Sequence, residues 1–145
     1  MKLSARTLLA LPATLLLAAC VTLGGGGTPE EQVAALSQSR WSALIKQDFA
    51  AAYAYNSPAY RETVTLDDYK KRFGNAGAWK KAEVLKTECE PERCTVTARL
   101  TVVNMIPGFT KIPEITTELS EVWVRDQGQW WFYNPAFSPK QDKPL

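Results

Sequence analysis

From Pro29 to Phe73 the apolar residues recur at helical spacing, and beyond Gly77 they give way to β-branched and aromatic runs separated by turn signals. This one change of period restricts the chain more than any other feature. Helices first and a meander of strands afterwards predict an α+β fold, with the helices against one face of a curved antiparallel sheet. The first helix starts at Thr28-Pro29-Glu30-Glu31, where Thr28 is an N-cap, Pro29 fits the first position and Glu31 closes a capping box. Its apolar stripe is Val33, Leu36, Trp41, Leu44 and Ile45, and it runs to about Gln47. Asp48 caps a second helix through Phe49, Tyr53 and Tyr55, stopped at Asn56-Ser57-Pro58 because the residue before proline avoids the α region. Thr65 caps a third, carrying Tyr69 and Phe73 and ended by Gly74. Three helices are thus expected before the first strand. Strands are expected at Lys81 to Glu88, Thr95 to Val103, Ile115 to Arg125 and Gln129 to Tyr133. Asp126-Gln127-Gly128 joins the last two as a hairpin, with Gly128 supplying a positive φ. Between Asn104 and Pro113 the sequence predicts a bent connection or a hairpin tip.

The amino terminus has a different character. Lys2 and Arg6 precede an apolar run from Leu8 to Leu17, and the small pair Ala18-Ala19 follows. Basic start, apolar middle and small residues are the marks of a secretory signal peptide. Pro12 and the Gly24 to Gly27 tract leave fewer than the roughly 20 apolar residues that a spanning helix needs. Leu17-Ala18-Ala19-Cys20 resembles the lipobox of bacterial lipoproteins. That resemblance implies cleavage before Cys20, a diacylglyceryl group on its thiol and a fatty-acyl chain such as palmitate on the new amino terminus. One acyl chain binds a bilayer marginally and two bind it stably, so such an anchor is permanent. Val21, where enteric-type lipoproteins kept at the inner membrane carry aspartate, implies a destination in the outer membrane, facing the periplasm. The expected organisation is a leader over 1–19, a lipidated Cys20 and glycine tether over 20–28, one domain over 29–137 and a flexible tail over 138–145. By random-coil scaling the tether spans about 15 Å, which keeps the domain close to the lipid surface.

Charge and cysteine usage fit export. Of 145 residues, removal of the first 19 leaves 126, enough for one domain and its core. The full chain has 17 basic and 15 acidic residues, but Lys2 and Arg6 leave with the leader, so the mature chain is near neutral. That balance excludes a nucleic-acid footprint, and no nucleic-acid partner is expected. With Cys20 given to lipid, Cys89 and Cys94 form an even pair in a compartment that permits disulfides. Their spacing predicts a bridge across the ends of a four-residue hairpin loop. It is not the spacing of a redox pair, and no second Cys or His cluster completes a zinc site, so neither metal nor cofactor is expected.

The order of the helices, the stretch from Asp48 to Arg61, the helix ending in Lys71-Arg72-Phe73-Gly74 and the run from Glu121 to Trp131 resemble small bacterial proteins of the nuclear-transport-factor-2-like (cystatin-like roll) class. The resemblance covers roughly residues 29 to 135 and implies a conical cavity between helices and sheet. Isomerases and dehydratases of this class place an acid or base there, frequently histidine, and this chain has none. A base would have to be a carboxylate of shifted pKa, and Asp48, Asp67, Asp68, Glu118 and Glu121 show no spacing that singles out a pair. No catalytic residue is therefore expected. The resemblance also implies pairing, as many members of the class are dimers. Both parities of the last two strands are partly apolar, so cover is expected on both faces, from the chain itself, from a second copy or from an envelope protein. Trp123 and Trp131 are the candidate interface residues. A third reading places a small apolar ligand in the cavity, with Trp41, Tyr53, Tyr60 and Trp79 as its walls.

Overall fold

The structure, a computed structural model, describes residues 26–104 and 113–134. The expected leader, Cys20, most of the tether, the connection over 105–112 and the tail from 135 onward lie outside the described residues.

Helix α1, Pro29–Ile45, begins where its capping box requires. The Thr28 hydroxyl accepts from the Glu31 N–H (3.3 Å), and the Glu31 carboxylate accepts from the Thr28 N–H (2.9 Å). Such a cap contributes about 0.5–2 kcal/mol. Asp48, Ser57 and Thr65 then cap α2 (Phe49–Tyr53), α3 (Pro58–Thr63) and α4 (Leu66–Lys71), each through a side-chain oxygen that accepts a first-turn N–H. Four α-helices therefore stand where three were expected. The missed one, α3, starts at the proline that stops α2. Pro58 both breaks the preceding segment and occupies the first position of α3, with Ser57 as the cap between them.

After a 3-10 turn at Ala76–Ala78, the strands β1 (Trp79–Glu90), β2 (Arg93–Val103), β3 (Glu114–Asp126) and β4 (Gln129–Tyr133) form one antiparallel sheet in sequence order. β1 and β2 run past their cysteines, so the connection is the two-residue turn Pro91-Glu92 and not a four-residue loop. Cys89 sits directly opposite Cys94 with Cα atoms 4.0 Å apart, and the two are bridged. The β3–β4 turn uses positive φ at Gln127 (49°) and Gly128 (78°), the pair of left-handed residues that a two-residue hairpin needs. Ends of the undescribed connection meet where the Asn104 N–H donates to the Pro113 carbonyl (2.9 Å).

One face of the sheet carries Ala82, Cys94, Val96, Ala98, Leu100, Glu121 and Trp123, all buried. α1 lies across it, mainly over β1, and Val33, Trp41 and Leu44 enter the core from the helix side. Around Trp41, Tyr60 and Tyr69 the short helices pack on Ala82, Ala98 and Leu100, while Val33 packs with Cys94, Val96, Trp123 and Trp130. The opposite face bears Thr95, Thr97 and Arg99, with Val122, Val124, Trp131 and Tyr133 half-buried at the β3–β4 side. The free edge of β4 is joined to the helical layer, because the Phe132 N–H donates to the Tyr55 carbonyl (2.9 Å).

Candidate functional site

Two charged residues occupy positions that apolar periodicity would assign to the core. Arg40 lies on the buried stripe of α1, between Ser37 and Leu44, and Glu121 lies on the inward parity of β3, two residues before Trp123. Each is only about 5% exposed. Arg40 Nη1 donates to Glu121 Oε1 (2.7 Å), and Ser37 Oγ donates to Glu121 Oε2 (2.6 Å), so each carboxylate oxygen has a donor. The guanidinium lies 3.6 Å from the Phe132 ring centroid and 5.7 Å from that of Trp41. A planar cation suits this place, since its faces can stack while its edge binds the carboxylate.

Asn56 and Tyr69 complete the buried polar centre, both fully buried. The Asn56 side chain donates to the Tyr53 carbonyl (2.9 Å). Burial pushes the Tyr69 phenol above its ordinary value, opposed by the Arg40 charge and by the nearness of Asn56. The Tyr60 phenol is likewise raised by burial, with Arg72 opposing. Both tyrosines therefore keep their protons at neutral pH, and the chemistry of this centre is that of donors and a neutralised ion pair. Sequence reasoning placed Glu121 on a strand without a partner and passed over Ser37, Arg40, Asn56 and Tyr69 as polar participants. The available signal was one charge of each sign within two otherwise buried stripes.

The four residues expected to line a cavity pack on one another. Trp41 and Tyr60 belong to the core, and Tyr53 and Trp79 pack beside them with Trp41–Trp79 centroids 5.6 Å apart and Tyr53–Tyr60 centroids 6.5 Å apart. The Tyr53 hydroxyl is bound at the Arg61 and Val64 carbonyls (3.1 and 2.5 Å), which fixes the ring to α3. Two of the four reach open clefts: Trp79 lines one of about 430 Å³ with Gly74, Asn75, Gly77, Val102 and Val103, and Tyr60 lines another of about 310 Å³ with Ser57, Thr63, Val124 and Tyr133.

Trp123 and Trp131 part company. Trp123 is completely buried, edge-on to Tyr55 and Phe132, and so presents no surface to a partner. Its expected interface role is corrected by strand parity: Trp123 shares the inward face with Glu121, and Trp131 stands on the other face opposite Val124. Trp131 is half-buried, with the Arg61 guanidinium 5.5 Å from its ring. Clefts flank it on both sides. One, about 310 Å³, has Gln32, Leu36, Tyr55 and Trp130 in its walls, and the other, about 330 Å³, has Pro58, Glu62, Asp126 and Gln129. Among the described residues no group of His, Cys, Asp and Glu is arranged to hold a metal ion, and no helix is long and apolar enough to cross a membrane.

No protein-family model matches the sequence, and no curated protein matches it significantly. Solved structures do. A SEC-C motif containing protein from Psychrobacter arcticus is similar over 95% of this chain and 82% of its own, with a TM-score of 0.59 and 15% identity. Another SEC-C motif containing protein, from Rhodopseudomonas palustris, is similar over 69% of this chain and 73% of its own, at TM-score 0.53 and 20% identity. A protein from Campylobacter jejuni described as a nuclear-transport-factor-2-like transpeptidase is similar over 72% of this chain and 97% of its own, at TM-score 0.50 and 11% identity. At these identities the likeness is one of fold. Helices on an open four-stranded antiparallel sheet make this an α+β, nuclear-transport-factor-2-like architecture.

Proposed function

We propose that the chain is an envelope lipoprotein, anchored through Cys20 and held at the outer membrane, whose domain is a non-catalytic binding or assembly module. Its docking surface is the β4 edge of the sheet around Trp131, where the hairpin meets the helices. The observation that carries the reading is the placement of Trp131 at the β4 edge of the sheet, with a cleft toward α1 and α2 on one side and a cleft toward α3 on the other. A rigid aromatic ring between concave walls supplies large contact area at low entropic cost, which is why Trp dominates interface hot spots. The aromatic packing of Trp41 and Tyr53 supports the same reading, because those rings are taken up by the core. So does the short stretch between Cys20 and the cap at Thr28, which would keep the hairpin near the lipid surface.

One observation favours a second reading. The cleft beside Trp79 is large enough for a small molecule, and an isomerase- or dehydratase-like enzyme or a small-molecule carrier would use that end of the fold. A photo-crosslinking residue at position 131, placed in the full chain in its host, separates the two. Capture of an envelope protein, or a self-crosslink together with a dimeric mass, supports the module. Absence of any crosslink, together with a metabolite bound beside Trp79, would replace it with the second reading.

A further inference from the structure

β1 is an outer strand of the sheet, and the groups on its free edge are bonded at Ala82 and Val84 by a side chain. Gln38, on α1, donates from Nε2 to the Ala82 carbonyl (3.0 Å) and accepts at Oε1 from the Val84 N–H (3.2 Å). A carboxamide carries the donor and acceptor of a peptide group, so Gln38 bonds this edge as the backbone of a neighbouring strand would. Unpaired strand edges are templates for another chain, and a side chain that fills those bonds shuts the template.

The strand behind Gln38 is patterned for one particular neighbour. Lys81, Glu83, Lys86 and Glu88 stand on one face, since they pair across to Thr101, Arg99, Thr97 and Thr95, and a register shift between Val84 and Lys86 absorbs Leu85. Their signs alternate, so the order is reversed in sign when read backwards. A second copy laid antiparallel along this edge, with its two-fold axis between Val84 and Leu85, would set Lys81 opposite Glu88 and Glu83 opposite Lys86 throughout. Leu85, 42% exposed, would lie at that axis and be covered. In the closed state the same charges pair along their own strand, Lys81 with Glu83 (2.7 Å) and Lys86 with Glu88 (2.9 Å). These pairs are exposed, and exchanging one partner for another at the surface costs little.

We propose that the free edge of β1 is a self-complementary interface for a second copy of this chain, held shut by the Gln38 carboxamide. The interface is isologous, with the same strand on both sides, and it would join two four-stranded sheets into one. It is distinct from the Trp131 surface at the opposite edge, and either can fail without the other.

Gln38→Met keeps the length of the side chain and removes both bonds. In the full chain carrying Cys20→Ala, size exclusion with light scattering should show the mass doubling relative to the same chain with Gln38 intact. Adding Lys86→Glu sets like charges opposite one another at Glu83 and should return the mass to that of the chain with Gln38 intact. Adding Glu83→Lys as well restores opposite signs and should restore the doubled mass. Gln38→Glu, which replaces the donor by an acceptor, serves as an independent opening of the edge, and circular dichroism checks that each variant is folded. A folded Gln38→Met chain with the same mass as the chain with Gln38 intact, or a doubled mass indifferent to Lys86→Glu, overturns the proposal. So does failure of both Gln38 variants to fold, since the contact would then be a condition of the fold and not a closure of its edge.

Discussion

Breaking the Arg40–Glu121 pair from either side should damage this domain more than removing both charges together. Each side chain is about 5% exposed, and the pair is closed by Ser37 on the carboxylate and by Phe132 on the guanidinium. Arg40→Met leaves Glu121 buried with only the Ser37 hydroxyl, and Glu121→Leu leaves the Arg40 cation against two aromatic rings. Removing one partner of a buried pair costs about 3–5 kcal/mol, because the other charge stays desolvated without compensation. For a domain of this size, at about 4 °C per kcal/mol, the melting temperature should fall by about 12–20 °C. The double variant Arg40→Met/Glu121→Leu exchanges both charges for apolar groups of similar length, and such exchanges are often neutral or stabilising. It should therefore lose less than either single variant. Urea unfolding followed by tryptophan fluorescence, on the four proteins of the cycle with the disulfide intact, measures the coupling directly. Single variants that each lose under about 1 kcal/mol, or a double variant that loses the sum of both, would rule out a buried pair of this kind.

Replacing Cys89 and Cys94 together by serine should cost about 2 kcal/mol in the same unfolding assay, because the bridge closes only a short loop. A loss near zero would mean that the β1–β2 turn is already closed in the unfolded chain. The raised pKa of Tyr69 has a definite sign in alkali: the folded state holds the proton more tightly than the unfolded one. Its contribution is present below the unfolded value of about 10 and is lost as pH rises through the higher folded value. Tyr69→Phe should accordingly weaken the fall of stability with pH in that range, read as the melting temperature across an alkaline series. Gly128→Ala, at φ 78° with open space around the added methyl, should cost about 1 kcal/mol through backbone strain alone, measured by thermal unfolding.

Much of this architecture can be read from local chemistry. Thr28 with Glu31, Asp48 and Thr65 mark helix starts because their oxygens have no better use than first-turn N–H groups. Gly128 marks the last hairpin because few other residues sit at positive φ there. Strand parity is less legible, since Val122 and Val124 alternate with Leu119 and Trp123 and either set could face the helices. Long-range contacts settle it, Trp123 packing with Val33 and Val96 and Glu121 pairing with Arg40 across 81 residues of sequence, and no local period contains either. For the same reason the buried polar centre escapes a reading based on apolar spacing: Ser37 and Arg40 interrupt a stripe that a hydrophobic pattern would fill. The cavity residues show the converse. Their aromatic character is plain, but only packing shows that Trp41 and Tyr53 are taken up by the core while Trp79 and Tyr60 reach open clefts.

The proposed role stands or falls on anchoring through Cys20, and the intact mass of the mature protein from its host decides that point. The expected product is a chain that begins at Cys20, carries the added mass of a diacylglyceryl group and a further acyl chain, and partitions into detergent, with Cys20→Ala abolishing both. A soluble mature protein of unmodified mass would contradict it.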